Sequence, residues 1–311
     1  VEQARGEAMS NSLHEALDWG SLAPLRIRAR EVADGVYAGV HRSHSRGPGV
    51  EFGGHRSYAP GDDLRWLDRH ALMRHGRLLV REFETDTDRC LRLLVDASAS
   101  MGFRSDRAPA AKLAYAALLA AALARIALAS GDPVALSWFG GTRCRPLPGT
   151  GGREAFDRVV GALEDAQASG DLSRNEQALD RSLVPLGRYA RRGALIVLLS
   201  DLLDLPQGAA DRLAGLATRG RTVIVVRVLD PLEALFPFDG PVRLRSSEGS
   251  MVVETDGPAA RAGYLAALEQ TARAIDDRLL PRGGRVVRSI TTDDPVAVVR
   301  AVLKVAGGSG H

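Results

Sequence analysis

The sequence predicts an α/β fold, a mostly parallel sheet with helices on both faces. Three observations point to it. Short apolar runs bounded by turn signals recur from Cys90 onward: Cys90–Val95, Val134–Phe139, Ala194–Leu199, Thr222–Val228 and Arg285–Ile290. Helical patterns of about ten residues or more separate them, the spacing a parallel crossover needs. Two of the runs end in hydroxyl and carboxylate residues, at Asp96-Ala-Ser98-Ala-Ser100 and at Ser200-Asp201. In open α/β sheets such strand ends are where ligands sit.

Along the chain, residues 1 to 18 read as a helical leader, with Leu13, Ala16 and Leu17 on one face. Leu22–Ala33 follows as a short helix, entered through Pro24 and closed by Asp34-Gly35. From Tyr37 to Asp63 Gly, His, Ser, Arg and Pro dominate, so a loop with short strands is expected. Leu64–His75 offers a helical turn or two. Leu78–Glu84 alternates like a strand, and the turn at 85–88 places it antiparallel to Cys90–Val95 as a hairpin.

Helices are expected over Pro109–Ala129, Arg153–Ala166, Asn175–Arg192, Pro206–Arg219, Pro258–Leu280 and Pro295–Val305, with Pro185 breaking or kinking the third. Val242–Leu244 and Met251–Glu254 form a small hairpin. The domain reading is therefore an N-terminal segment over 1–89, an α/β domain over 90–306, and a disordered tail over 307–311.

The 311 residues are 45% apolar and 25% charged, the balance of a globular chain. A formal net charge of +3 implies no nucleic-acid partner by itself. All but two of the 41 basic residues are arginines, the lysines being Lys112 and Lys304; with so much Ala and Gly, codon composition is the first explanation. Two cysteines, Cys90 and Cys144, make neither a disulfide framework nor a zinc site and behave as small core residues. The opening VEQARGEAMS is polar, and Leu113–Ala124 falls short of the roughly 20 apolar residues a membrane span requires. The expectation is a cytoplasmic protein with no membrane span.

Asp96, Ser98 and Ser100 alternate with small residues after a buried strand. A carboxylate and two hydroxyls leaving one side of a turn are hard oxygen donors, suited to Mg²⁺ rather than to a soft metal. The plain alternative is a helix entry, with Asp or Ser capping free N–H groups. Histidines 41, 44, 55, 70 and 75 match no zinc spacing. Trp66 and Trp138 are core residues in this reading.

Asp-x-Ser-x-Ser-Met-Gly over Asp96–Gly102 resembles the metal-ion-dependent adhesion site of von Willebrand factor A domains. That resemblance implies a hydroxyl from a second loop and an aspartate from a third, roles that fall to Ser173 and Asp201. The implied metal set is Asp96, Ser98, Ser100, Ser173 and Asp201, holding Mg²⁺ or another divalent cation such as Mn²⁺ or Ca²⁺.

A second pattern narrows the family. Glu51-Phe52, Arg56-x-Tyr58-x-Pro60-Gly61-Asp62-Asp63-x-Arg65, Asp68, Arg74 and Leu79-Val80-Arg81-Glu82-Phe83 resemble the signature of the domain-of-unknown-function 58 family. Gly131-Asp132, Ser200-Asp201 and Asp230-Pro231-x-Glu233 extend the likeness; Arg69 stands where the family commonly has Trp. Residues 58–65 themselves read most simply as a tight turn, with Asp62 and Asp63 facing arginines.

The resemblance implies a bacterial, non-enzymatic interaction module of von Willebrand factor A type. Its partner would be a MoxR-type AAA+ ATPase, or a client protein supplying a carboxylate to the open metal position, in assembly or remodelling of a complex. The alternative from another class is a Mg²⁺-dependent hydrolase or phosphatase using Asp96 or Asp62. Against it, Ser98 stands where many phosphotransfer loops carry a second Asp, and no nucleophile elbow, P-loop or paired-histidine motif occurs.

Overall fold

Strand β3 (Leu91–Ala97) lies at the centre of a six-stranded sheet, with β6 (Leu195–Ser200) on one side and β4 (Val134–Gly140) on the other. The computed structural model describes residues 17–40, 52–57, 73, 78–83, 90–170, 176–203, 205–206, 208–245 and 252–308. Beyond β6 lie β7 (Thr222–Leu229) and β10 (Arg285–Ile290), all parallel; β5 (Leu147–Thr150) closes the opposite edge antiparallel to β4. The chain runs from β3 out to β4 and then returns to β6 on the other side. Strand order therefore reverses at β3, and the crevice beyond the carboxyl ends of β3 and β6 is the switch point where α/β sheets place ligands.

The strand sequences explain their position. Leu91, Leu93, Val95 and Ala97 of β3 pack into one core layer and Leu94 into the other, the period of two that a doubly covered strand requires. The first layer holds α1 (Leu25–Val40), α2 (Lys112–Ala129), α3 (Ala155–Glu164) and α8 (Pro295–Gly308). The second holds α4 (Glu176–Tyr189), α5 (Ala209–Leu216) and α7 (Gly257–Leu279). Helix α2 is Ala/Leu-rich all round because it is buried on nearly every side. Among the described residues it is the one helix long and apolar enough to cross a membrane, and its window is mostly buried in the core.

Several expectations change. Helix α1 runs through Asp34-Gly35 to Val40 instead of stopping there. Gly35 is spent on packing: a Cβ would lie 3.0 Å from Val296 Cγ2 on α8, so glycine lets the two helices close. Through Leu25, Ala29, Ala33 and Val36, α1 belongs to the core of the α/β body. Strand β2 (Leu79–Phe83) pairs with β1 (Phe52–Ser57), not with β3, whose two edges are already taken by β4 and β6. Helix α4 continues across Pro185, held by Leu179, Leu183 and Leu186 in the core and by Ser182 Oγ donating to Trp138 O at 2.6 Å. Strand β5 and the short helix α6 (Pro231–Leu235) were not expected. Strands β8 (Pro241–Arg245) and β9 (Val252–Asp256) form the small hairpin that was. Helix α8 reaches Gly308, past the expected end of the domain.

Trp138, Cys90 and half-buried Cys144 are core residues as read, and both cysteines are free. The leader (1–16), most of the 37–75 segment with its Arg-x-Tyr-x-Pro-Gly-Asp-Asp-x-Arg motif, Trp66, and residues 309–311 lie outside the described residues.

Candidate functional site at the carboxyl ends of the sheet

Asp96 leaves β3 with both carboxylate oxygens engaged. Ser98 N–H and Ser98 Oγ donate to Oδ1 at 2.9 and 2.6 Å, and Ser200 Oγ donates to Oδ2 at 2.6 Å. Ser100 Oγ lies 3.1 Å from Ser98 Oγ. The loop is held close from the side by Gly140, whose φ of +69° and missing Cβ matter here. A Cβ would stand 2.7 Å from Ser98 N. From the second loop, Gly170 O accepts from Ala99 N at 3.1 Å and Ser169 N donates to Ala97 O at 2.8 Å. That brings the chain three residues before Ser173 onto the Asp96 loop; Ser173 itself lies outside the described residues.

Asp201 follows Ser200 off the end of β6, so one dipeptide serves both halves of the site. Its Oδ1 accepts from Leu203 N at 2.9 Å, and its Oδ2 accepts from Lys112 Nζ at 2.8 Å. The same ammonium donates to Glu233 Oε1 at 2.6 Å. Glu233 belongs to a capping box at the start of α6: its Oε2 accepts from Asp230 N, while Asp230 Oδ1 accepts from Leu232 N. Asp230 Oδ2 takes Ser105 N–H at 2.8 Å, which ties the loop after Met101 to the end of β7. The ends of β3, β6 and β7 thus form one hydrogen-bonded cluster. Asp96, Ser98, Lys112, Ser200, Asp201 and Asp230 are all fully buried within it.

The electrostatics follow from that burial. Desolvation, reinforced by the nearby Asp201 charge, pushes the Asp96 carboxyl up to about 7 despite the serine donors. Burial alone would pull the Lys112 ammonium down; Asp201 and Glu233 outweigh it and hold the group above its usual range, hence charged. Burial lifts Glu233 above the usual carboxylate range although Lys112 pulls it down. The arrangement also opposes the local helix. Lys112 opens α2, whose N-cap Ala111 supplies no side-chain cap, and a cation in the first turn faces the positive end of the helix dipole. The residue is therefore explained by the acids around it, not by helix formation.

Set against the expected metal set, Asp96, Ser98, Ser100 and Asp201 do converge, and their donors are hard oxygens of the kind Mg²⁺ takes. They do not fit a divalent ion as arranged. Asp201 spends Oδ2 on the Lys112 ammonium and Oδ1 on a backbone amide, and Asp96 spends both oxygens on serines of its own site. Among the described residues, no group of three or more His, Cys, Asp or Glu is placed to hold a metal. The positive charge that Asp201 meets here is Lys112.

The sequence reading missed Lys112, Glu233 and Asp230 as members of the site. A signal was present, because a chain of arginines carries only two lysines, and one of them opens its most apolar helix. The lysine ammonium is a compact point charge with three donors, and two of them reach the Asp201 and Glu233 carboxylates.

Comparisons with known proteins agree with the family expectation. The uncharacterized protein Rv1480 of Mycobacterium tuberculosis is 30% identical over 278 residues, covering 88% of this chain and 84% of its own length. Mycobacterium bovis has an equally similar uncharacterized protein, Mb1516. Among solved structures, the conserved hypothetical protein BatB from Bacteroides thetaiotaomicron matches with a TM-score of 0.41 at 16% identity, covering 71% of this chain and 99% of that one. A von Willebrand factor type A protein from Catenulispora acidiphila matches with a TM-score of 0.40 at 15% identity, covering 75% and 44%. The family described as protein of unknown function DUF58 matches residues 54–274, well over half of the sequence, and the chain belongs to that family.

Proposed function

We propose that the protein is a non-enzymatic interaction module that docks a partner protein on the rim of the switch-point cluster. In this reading it works with a MoxR-type AAA+ ATPase in assembly or remodelling of a complex, in the cytoplasm. The observation that supports it is the burial of the cluster. Asp96, Lys112, Asp201 and Asp230 are sealed and take their polar partners from within the protein, so none is presented to a substrate as base or nucleophile.

What faces outward is the loop the cluster shapes. Ser105 is buried and pinned to Asp230, Phe103 O accepts from Lys112 N, and Arg104 Nη1 pairs with Asp18 at 2.6 Å. Phe103 and Arg107 are both exposed on that loop, and aromatic and arginine side chains are the types that most often carry binding energy at interfaces. The Lys112 ammonium stands 5.9 Å from the Phe103 ring centroid, so a change in the cluster reaches the docking surface directly.

The test is capture of the purified MoxR-type ATPase from the same organism by the full chain, compared with a Phe103→Asp/Arg107→Glu variant. The expected result is a loss of at least about tenfold in affinity, the scale of a displaced anchor residue. Equal capture by both proteins, or none by either, removes the proposal. Turnover of generic phosphoesters by the wild-type chain that disappears in Asp96→Asn would favour the hydrolase instead.

A further inference from the structure

At the opposite end of the sheet, beside the starts of β6 and β7, lies an open cavity of about 650 Å³. Its lining is Arg188, Ala190, Arg191, Arg192, Arg219, Gly220 and Arg221. Five of these seven are arginines, brought together by two loops from separate parts of the chain. One runs from the end of α4 into β6, the other from α5 into β7, and Gly193 N–H donates to Gly220 O at 2.8 Å to join them. Gly220 has a φ of +71°, and a Cβ there would stand 2.9 Å from Arg192 Cγ. Glycine is what lets the Arg192 stem lie across this loop.

Codon composition accounts for many arginines but not for this grouping. Elsewhere on the surface arginines face carboxylates, as Arg26 does Asp157, Arg104 does Asp18, Arg212 does Asp180 and Arg288 does Glu269. Here no carboxylate lines the cavity, and among the described residues Arg188, Arg192 and Arg219 make no ion pair. Arg221 is only 6% exposed, yet among the described residues it too pairs with no acid. Its Nη2 donates to Gly187 O at 2.9 Å, while its Nε has no hydrogen-bond partner among the described residues. Burial, then the neighbouring Arg219 and Arg92 charges, pulls this guanidinium below the usual arginine range. Holding like charges together around a buried, half-satisfied donor costs stability, a cost that an anion held there would offset.

We propose that this cavity is a binding site for a multiply charged phosphate group, either free in solution or on the headgroup of an acidic lipid. Planar guanidinium forks match phosphate oxygens two at a time, which a lysine cannot do. No aromatic side chain lines the cavity, so a nucleobase would find no stacking platform, and a nucleic acid is the weaker candidate. The site is independent of the docking rim, since it lies at the other end of the strands.

The experiment is calorimetric titration of the full chain with inorganic pyrophosphate at about 50 mM salt, where screening is modest. Wild type is compared with Arg192→Gln/Arg219→Gln and with Arg153→Gln/Arg158→Gln, which removes the same charge from exposed positions at the start of α3. We expect one pyrophosphate per chain, weakened at least about tenfold in the cavity variant and unchanged in the control. Co-sedimentation with phosphatidic acid vesicles, run in parallel, separates the sources. Pelleting that the cavity variant loses and pyrophosphate competes away assigns the site to a lipid headgroup; pyrophosphate binding without pelleting assigns it to a soluble phosphate. Absence of pyrophosphate binding, equal weakening in both variants, or binding seen only with a single-stranded oligonucleotide overturns the proposal.

Discussion

The two ends of the same parallel sheet handle charge in opposite ways. At the carboxyl ends four acids, Asp96, Asp201, Asp230 and Glu233, are drawn into the protein and answered by serines, backbone amides and one lysine. At the amino ends five arginines surround an open cavity with no acid among its lining. Burial makes the first cluster depend on its internal pairing, because an unpaired charge out of water costs several kcal/mol. Exposure makes Arg192 and Arg219 of the second tolerable without an ion pair among the described residues, because water and salt screen them. One end is a finished network that shapes a surface; the other is a charge surplus open to an outside anion.

Removing the lysine is the sharpest way to break this contrast. Lys112→Met keeps the stem volume but leaves the Asp201 and Glu233 carboxylates buried without a cation. The expected loss is about 3–5 kcal/mol in urea unfolding. Lys112→Met/Asp201→Asn/Glu233→Gln should recover most of it, because the triple variant leaves no charge unpaired. A Lys112→Met chain within about 1 kcal/mol of wild type would mean the ammonium does not hold the strand ends together. The single variant also reports on metal. With the ammonium gone, Asp201 is released, so Mg²⁺ should restore stability to Lys112→Met while leaving wild type unchanged.

A smaller effect concerns protons. Asp96 keeps its proton in the folded chain up to about 7, against an ordinary carboxyl value of 3.8. Between those values the unfolded chain has released a proton that the native state still binds, so stability falls as pH rises through the window and levels off above it. The total is on the order of a few kcal/mol. Asp96→Asn cannot ionise and should lose that slope. If urea midpoints of wild type and Asp96→Asn fall in parallel between pH 4 and 7, Asp96 is not the group responsible.

How far each end was legible follows from the same physics. Apolar runs such as Ala194–Leu199 exposed the strands, and Asp96, Ser98, Ser100 and Asp201 were legible because each stands directly at a strand end. Lys112 was not, since it lies sixteen residues beyond Asp96 in an Ala/Leu helix and meets Asp201 only when that helix packs on the sheet. The pairing of β2 with β1 was hidden for a similar reason: local spacing favours a hairpin with β3, and only the completed sheet shows both edges of β3 occupied. The arginine cavity was obscured by abundance. With arginines everywhere in the sequence, only folding reveals which ones lack an acid beside them.

The smallest expected effect is also the one with the opposite sign. Arg192→Gln/Arg219→Gln removes two exposed like charges from around the cavity and breaks no ion pair among the described residues. Exposed charges contribute little to stability, so the change should stay within about 0.5 kcal/mol, in the direction of a gain. Low salt should enlarge that gain, since the repulsion being relieved is a screened one. A loss above about 1 kcal/mol would show that these arginines hold the α4–β6 and α5–β7 loops in place. The amino end would then be a structural network like the carboxyl end, and the difference between the two would disappear.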